Sequence, residues 1–180
     1  MFKKLMLAAL VVVTGCAGSF DGKVGGETMT VKDSVFLPVK SGDKIVGLSV
    51  VMTDQENTCD LLKANREPKA SKWVQLQLYE LNDAQLLYPE KGDFSVGSGY
   101  TLANGKHAYG RFHVRDENCT DKDASADTQS GLIKVTNVQP QDKGTLNATW
   151  DITFGSDQVK GSFNANYCDV DWTQVNLHCE

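Results

Sequence analysis

Leu146-Asn147-Ala148-Thr149-Trp150-Asp151-Ile152-Thr153-Phe154 alternates apolar and polar side chains without a break. Successive side chains of a strand point to opposite faces, so this pattern belongs to a strand buried on one face and wet on the other. The following stretch repeats it. Val159, Gly161, Phe163 and Ala165 share one side, and Gln158, Lys160, Ser162 and Asn164 share the other. Between the two runs lies Gly155-Ser156-Asp157, a hairpin loop with Gly where positive φ is needed.

Moving outward, the same period marks strands over Thr28–Lys32, Val35–Val39, Lys44–Met52, Lys72–Leu81, Ala84–Tyr88, Phe94–Gly97, Lys106–Val114 and Gly131–Val138. Asn82-Asp83 and Asn104-Gly105 read as tight hairpin turns, and Pro38 marks an edge strand or a bend. One helix interrupts. Thr53-Asp54-Gln55-Glu56 has the form of a capping box, which predicts a helix running to about Asn65, with Leu61 and Leu62 on its buried edge and Pro68 preventing extension. The expected fold class is all-β (mostly): an antiparallel β-sandwich or a closed β-barrel with one short helix. Alternation alone leaves those two open.

The N-terminus carries a different signal. Lys3 and Lys4 precede the apolar run Leu5 to Val13, and Val13-Thr14-Gly15-Cys16 follows. A short apolar run behind a positive start reads as a secretory signal peptide over residues 1–15, too short to span a bilayer. The Val-Thr-Gly-Cys ending resembles the bacterial lipobox. That resemblance implies acylation of Cys16, which would become the mature N-terminus and a membrane anchor. Ala17 stands where Asp would signal inner-membrane retention in the enterobacterial scheme, which favours the outer membrane. Residues 16–26, with four glycines after the cysteine, are expected to form the lipidated cysteine and a Gly-rich tether, alone or with a first short strand. Residues 27–180 then form a single β domain, in keeping with a chain of 180 residues. Loss of Lys3 and Lys4 with the signal moves the net charge from −5 to −7. An acidic surface argues against nucleic acid and anionic headgroups as electrostatic partners.

Four further cysteines remain: Cys59, Cys119, Cys168 and Cys179. An even number in an oxidising compartment predicts two disulfides. Three pairings exist; the favoured one is Cys168–Cys179, clamping the tail, with Cys59–Cys119 tying the helix to a long loop. A zinc site is disfavoured because no C-x-x-C pair occurs.

Two clusters qualify as candidate sites. His107, Tyr109, Arg111 and His113 share one face of a strand. They can line a ligand groove, with Arg111 meeting a carboxylate or a sugar hydroxyl, or they form an ordinary solvated face. The histidines stand about 20 Å apart along the strand, too far to share a metal. The acidic stretch Arg115 to Asp127 places Asp116, Asn118 and Thr120 at the alternate positions of an EF-hand loop, with Asp127 at its end. It lacks the central Gly, the bidentate Glu and the flanking helices, so calcium is a weak candidate there. Asp169, Asp171 and Trp172 beside Cys168 form either a recognition tip or a cap on the core. No nucleophile-elbow, zincin or P-loop pattern occurs, and no cofactor is expected.

The C-terminal meander also carries a resemblance. Phe154-Gly155-Ser156-Asp157, then Val159-Lys160-Gly161-Ser162-Phe163-Asn164-Ala165 and Cys168, resembles uncharacterised lipoproteins of myxobacteria and their relatives. Phe20-Asp21-Gly22 and Asp60-Leu61-Leu62-Lys63-Ala64-Asn65 fit the same group, so the likeness covers nearly the whole mature chain. It implies fold and location and brings no activity with it. The functional expectation is an envelope-anchored, non-enzymatic binding or interaction module. Its partners are the membrane, through the lipid, and an envelope protein or small ligand. A carrier with a barrel cavity is the alternative, and an enzyme ranks below both.

Overall fold

A computed structural model describes residues 17–179. Cys16 and the signal-peptide segment lie outside the described residues. The chain is mostly strand: β1 (Gly18–Asp21), β2 (Asp33–Ser41), β3 (Lys44–Thr53), β4 (Arg66–Glu67), β5 (Lys72–Asn82), β6 (Gln85–Leu87), β7 (Gly92–Gly97), β8 (Gly105–Val114), β9 (Ala126–Val138), β10 (Thr145–Phe154), β11 (Asp157–Tyr167) and β12 (His178–Cys179). One helix, α1, spans Thr58–Lys63, and a 3-10 turn spans Trp172–Gln174. Among the described residues no helix is long and apolar enough to cross a membrane.

The sheet closes. Its order is β2-β3-β5-β8-β7-β9-β10-β11, and β11 pairs back onto β2 through Asn166↔Val35 and Tyr167↔Phe36. The result is an eight-stranded barrel, which settles the choice between sandwich and barrel. The purely antiparallel expectation is corrected in three places: β11 runs parallel to β2 and β7 parallel to β8 in the barrel, and β12 runs parallel to β4 beside it. Alternation works as expected around the wall. Phe36, Phe94, Phe112, Phe154, Leu48, Leu76, Leu146, Ile133 and Ile152 are fully buried, and they belong to one core together with Trp150. Pro38 falls beyond the last rung between β2 and β11, where a missing N–H costs no ladder bond on that side.

Tight curvature is obtained at glycine. Gly161 on β11 faces the indole of Trp150; a Cβ there would stand 2.4 Å from Trp150 Cζ2. Gly131 on β9 has φ +143° beside a register shift against β10, a bend that L side chains rarely adopt.

Several local expectations change. Of the two readings of the Gly-rich segment, the one with a first short strand holds: β1 pairs antiparallel with β11, and Phe20 stacks on Phe112 at 5.2 Å inside the core. Thr28–Lys32 forms no strand, although Met29 is buried. Asn104-Gly105 is no hairpin turn, because the strands it joins are parallel. In the β5–β6 hairpin the turn residues are Asp83 and Ala84, both at positive φ. The capping box does not form. Thr53 pairs with Trp73 as the end of β3, and its hydroxyl donates to the Lys72 carbonyl, so the strand outcompetes the cap. The helix starts at Thr58, whose amide donates to Asp33 Oδ2 at 2.8 Å. Asn57 holds the N-cap position with a left-handed backbone and no side-chain bond, and Asp33, distant in sequence, takes the first helical amide in its place.

A second, smaller core lies outside the barrel. Val35, Leu37 and Val51 project outward and are covered by Leu62 of α1, Trp73 and Cys168, with Trp172, Val175 and Leu177 packed around them. This explains the disulfides, which are Cys59–Cys168 and Cys119–Cys179. The expected Cys168–Cys179 and Cys59–Cys119 pairs are corrected. Barrel closure brings the end of β11 against β2, where α1 also lies, and the Cys168 amide donates to the Phe36 carbonyl. Trp172 serves this core as a cap.

Candidate functional site

The wall formed by β5 and β8 is buried on the inside and carries a row of rings and charges on the outside. Register sets the row: Tyr79↔His107, Gln77↔Tyr109, Gln75↔Arg111 and Trp73↔His113 stand opposite one another. The four residues of the predicted groove therefore do share a face, but the structure divides them into two unlike halves.

The first half is an internal ion-pair network. Asp121 lies 3.5 Å from Arg111 Nη2, 3.3 Å from His113 Nδ1 and 3.1 Å from Arg115 Nη1. Arg111 Nη1 also reaches Asp127 at 2.9 Å, and Arg115 Nε lies 2.7 Å from Glu67. His113 stacks on Trp73 at 4.4 Å. Burial holds the His113 imidazole below its ordinary value of 6.5, against the opposing pull of Asp121. Burial likewise pushes the Glu67 carboxyl up, opposed by the Arg115 guanidinium. Arg111 was expected to meet a ligand's carboxylate or sugar hydroxyl; the carboxylates it meets belong to the chain itself. The network ties the 115–125 loop to the wall.

The calcium candidates are not assembled. Asp116 Oδ1 accepts from the amides of Asn118 and Thr120, closing a local turn, and these hydrogen bonds lower its carboxyl. Asp127 sits on β9 against Arg111. Among the described residues no group of three or more His, Cys, Asp or Glu side chains could hold a metal ion.

The second half is an aromatic platform. Because β8 runs parallel to β7, residues 98–104 must travel back to the starting end of β7 before β8 can begin. That return lays Tyr100 over the outside of β5. Its ring stacks on Tyr79 at 4.7 Å and 25°. Tyr79 also meets His107 at 5.6 Å and Tyr109 at 6.0 Å, edge to face. The Tyr79 hydroxyl accepts from the Thr101 amide at 2.7 Å, pinning the loop, and His107 Nε2 lies 2.8 Å from the Ala103 carbonyl. Asn104 Oδ1 accepts from the Asp83 amide, joining the loop to the β5–β6 hairpin. Burial raises the phenols of Tyr79 and Tyr109 above the ordinary tyrosine value, so both remain neutral and able to donate.

Clefts flank Tyr100 on either side. One, of about 330 Å³, runs between the loop and the start of β8 and is bordered by Ser95, Ser98, Thr101 and His107. The other, of about 90 Å³, is bordered by Gln77, Tyr79, Leu86 and Tyr109. Leu102, 74% exposed, Tyr100, 51%, Leu86, 39%, and Leu87, 38%, are the large hydrophobic side chains left exposed among the described residues; Tyr100 and Leu86 border the clefts. All four gather on the β5–β6 hairpin and the 98–104 return. The barrel interior, where a carrier would hold its ligand, is occupied at these levels by Phe36, Phe94, Phe112, Phe154 and Trp150.

His107 and Tyr109 were visible as candidates in the sequence. Tyr79 and Tyr100 were not, because one lies across a strand pair and the other arrives by a parallel crossover. The available signal was the exposed pair Tyr100 and Leu102 within a Gly- and Ser-rich stretch. No protein-family model, curated protein or solved structure matches the chain.

Proposed function

We propose that the chain is an envelope-anchored lipoprotein whose barrel serves as a non-enzymatic binding module, with the Tyr100 platform as its contact surface. One observation carries this reading: Tyr100 and Leu86, two of the four exposed large apolar side chains, border the same cleft, and the other two, Leu102 and Leu87, stand within two residues of them in the chain. Contiguous apolar surface rimmed by polar groups marks interaction sites. The platform is also prearranged, since Tyr100 is fixed by stacking and the loop by the Tyr79 hydroxyl.

The anchor adds a direction. The Ala17 carbonyl accepts from the Asn164 amide at 3.0 Å and from the Ser34 hydroxyl at 2.6 Å, so the residue after Cys16 is already part of the wall. Val39, on the border of the smaller cleft, lies five residues further along β2, roughly 17 Å. An acyl group on Cys16 would hold the Ala17 end against the bilayer and leave the platform facing away from it.

Two variants test the reading. Cys16→Ser should lose incorporated palmitate and pass from the detergent phase to the aqueous phase on detergent extraction. The soluble Cys16→Ser protein should then co-sediment with isolated cell envelopes, and adding Tyr100→Ala with Leu102→Ser should abolish that. Equal sedimentation of both proteins would reject the platform, and an unmodified Cys16 would reject the anchor.

A further inference from the structure

We infer that the larger cleft, between the 98–104 return and the start of β8, takes a neutral sugar ring of an envelope glycan. The inference rests on the platform reading and names the ligand class of that site.

The first observation is charge. Charged residues make up 23% of the chain and the net charge is −5, yet no residue bordering this cleft carries a carboxylate, ammonium or guanidinium. Apart from the His107 imidazole, already bonded to the Ala103 carbonyl, an ionic ligand would find no counter-charge there. The second is the ring. One face of Tyr100 is covered by Tyr79, so its 51% exposure leaves the opposite face and edges to solvent at the mouth of the cleft. A flat ring offers a large contact area at low conformational cost to the C–H face of a pyranose. The third is hydrogen bonding. Ser95 and Ser98 are exposed, and their hydroxyls make no hydrogen bond among the described residues. Hydroxyls donate and accept at once, which suits them to sugar hydroxyls. The backbone of Gly97 and Gly99 keeps the approach open, with no neighbouring atom within 4 Å of a Cβ built on Gly99. A volume of about 330 Å³ falls at the lower end of the range for small-ligand sites.

Leu86, Leu87 and Leu102 do not border this cleft, so a purely apolar protein partner would find only Val96, Ala108 and the Tyr100 ring in it. The polar lining favours the glycan.

Co-sedimentation of the Cys16→Ser protein with isolated envelopes separates the outcomes. Envelopes digested exhaustively with protease should retain binding. Neutral oligosaccharides released from them by mild acid, collected as the unretained fraction from an anion exchanger, should compete. Ser98→Asp, which places a carboxylate in the cleft, and Tyr100→Ala should each weaken binding about tenfold, whereas Tyr100→Phe should retain it. Loss of binding on proteolysis would overturn the glycan and leave the platform standing with a protein occupant. Competition only by the retained, charged fraction, or by neither fraction, would overturn it as well. Indifference to Tyr100→Ala would reject the platform itself.

Discussion

Removal of the Cys59–Cys168 bridge tests the barrel's closure. The two cysteines are 109 residues apart, with Cα atoms 5.5 Å from each other. Cutting so long a loop frees the unfolded chain by about 4.8 kcal/mol in the chain-entropy model. The Cys119–Cys179 bridge closes 60 residues and would contribute about 4.3 kcal/mol by the same reasoning. Its effect in practice should be smaller. Cys179 is exposed on a two-residue strand, so breaking the bridge also releases native tail entropy. Cys168 is fully buried beside Leu62 and Trp73, so alanine is the better replacement; serine would add an unpaired buried hydroxyl. For a domain of this size the Cys59→Ala/Cys168→Ala variant should lose roughly 10–20 °C in Tm, more than Cys119→Ala/Cys179→Ala. Thermal unfolding followed by circular dichroism reads the difference. The pairing itself is read by mass spectrometry under non-reducing conditions. Trypsin leaves Cys168 and Cys179 in one peptide, because no Lys or Arg lies between them, so cleavage before Asp169 and Asp171 is required. A peptide joining Cys59 to Cys119, or a Tm change under a few degrees for the buried pair, would refute the reasoning.

Four further outcomes follow from single contacts. Gly161→Ala drives a methyl group into Trp150 and the Ser19 carbonyl and should cost about 1–3 kcal/mol in urea unfolding. Asp33→Ala removes the acceptor for the Thr58 amide and should cost about 1 kcal/mol, with faster hydrogen exchange confined to α1. His113 is held neutral by burial, so the unfolded chain takes up a proton before the folded one as pH falls below 6.5. Its contribution is complete above that value and is lost on acidification through the window beneath it. His113→Gln should therefore flatten the stability profile of urea midpoints between about pH 7.5 and pH 5. Tyr100→Ala removes a ring stacked on Tyr79 and should cost about 1–2 kcal/mol, short of unfolding a domain of this size, so any loss of binding stays interpretable.

How much of this was legible follows from the range of each interaction. The alternation of Leu146 to Phe154 reads correctly because strand burial is decided residue by residue, and β10 pairs with β11 over its full length. The short turn at Gly155-Ser156 is equally local. The helix start is not readable locally because the carboxylate that takes its first amide, Asp33, lies 25 positions away, while the local candidate Thr53 pairs with β5. The disulfides failed for the same reason: the proximity of Cys59 and Cys168 is produced by β11 docking on β2, a contact no local pattern announces. The outward row His107, Tyr109, Arg111 and His113 was sound as a face and incomplete as a site. Asp121 and Asp127 absorb its basic end, and Tyr79 and Tyr100 complete its aromatic end.

Site-specific photo-crosslinking in intact cells tests the central claim most directly. A photoreactive phenylalanine derivative replaces Leu102 on the platform or, as a control, Lys160, which is 67% exposed on β11. A discrete, saturable adduct is expected from position 102, lost with Tyr100→Ala, and none from position 160. Equal labelling at the two positions, or labelling confined to 160, would contradict that claim.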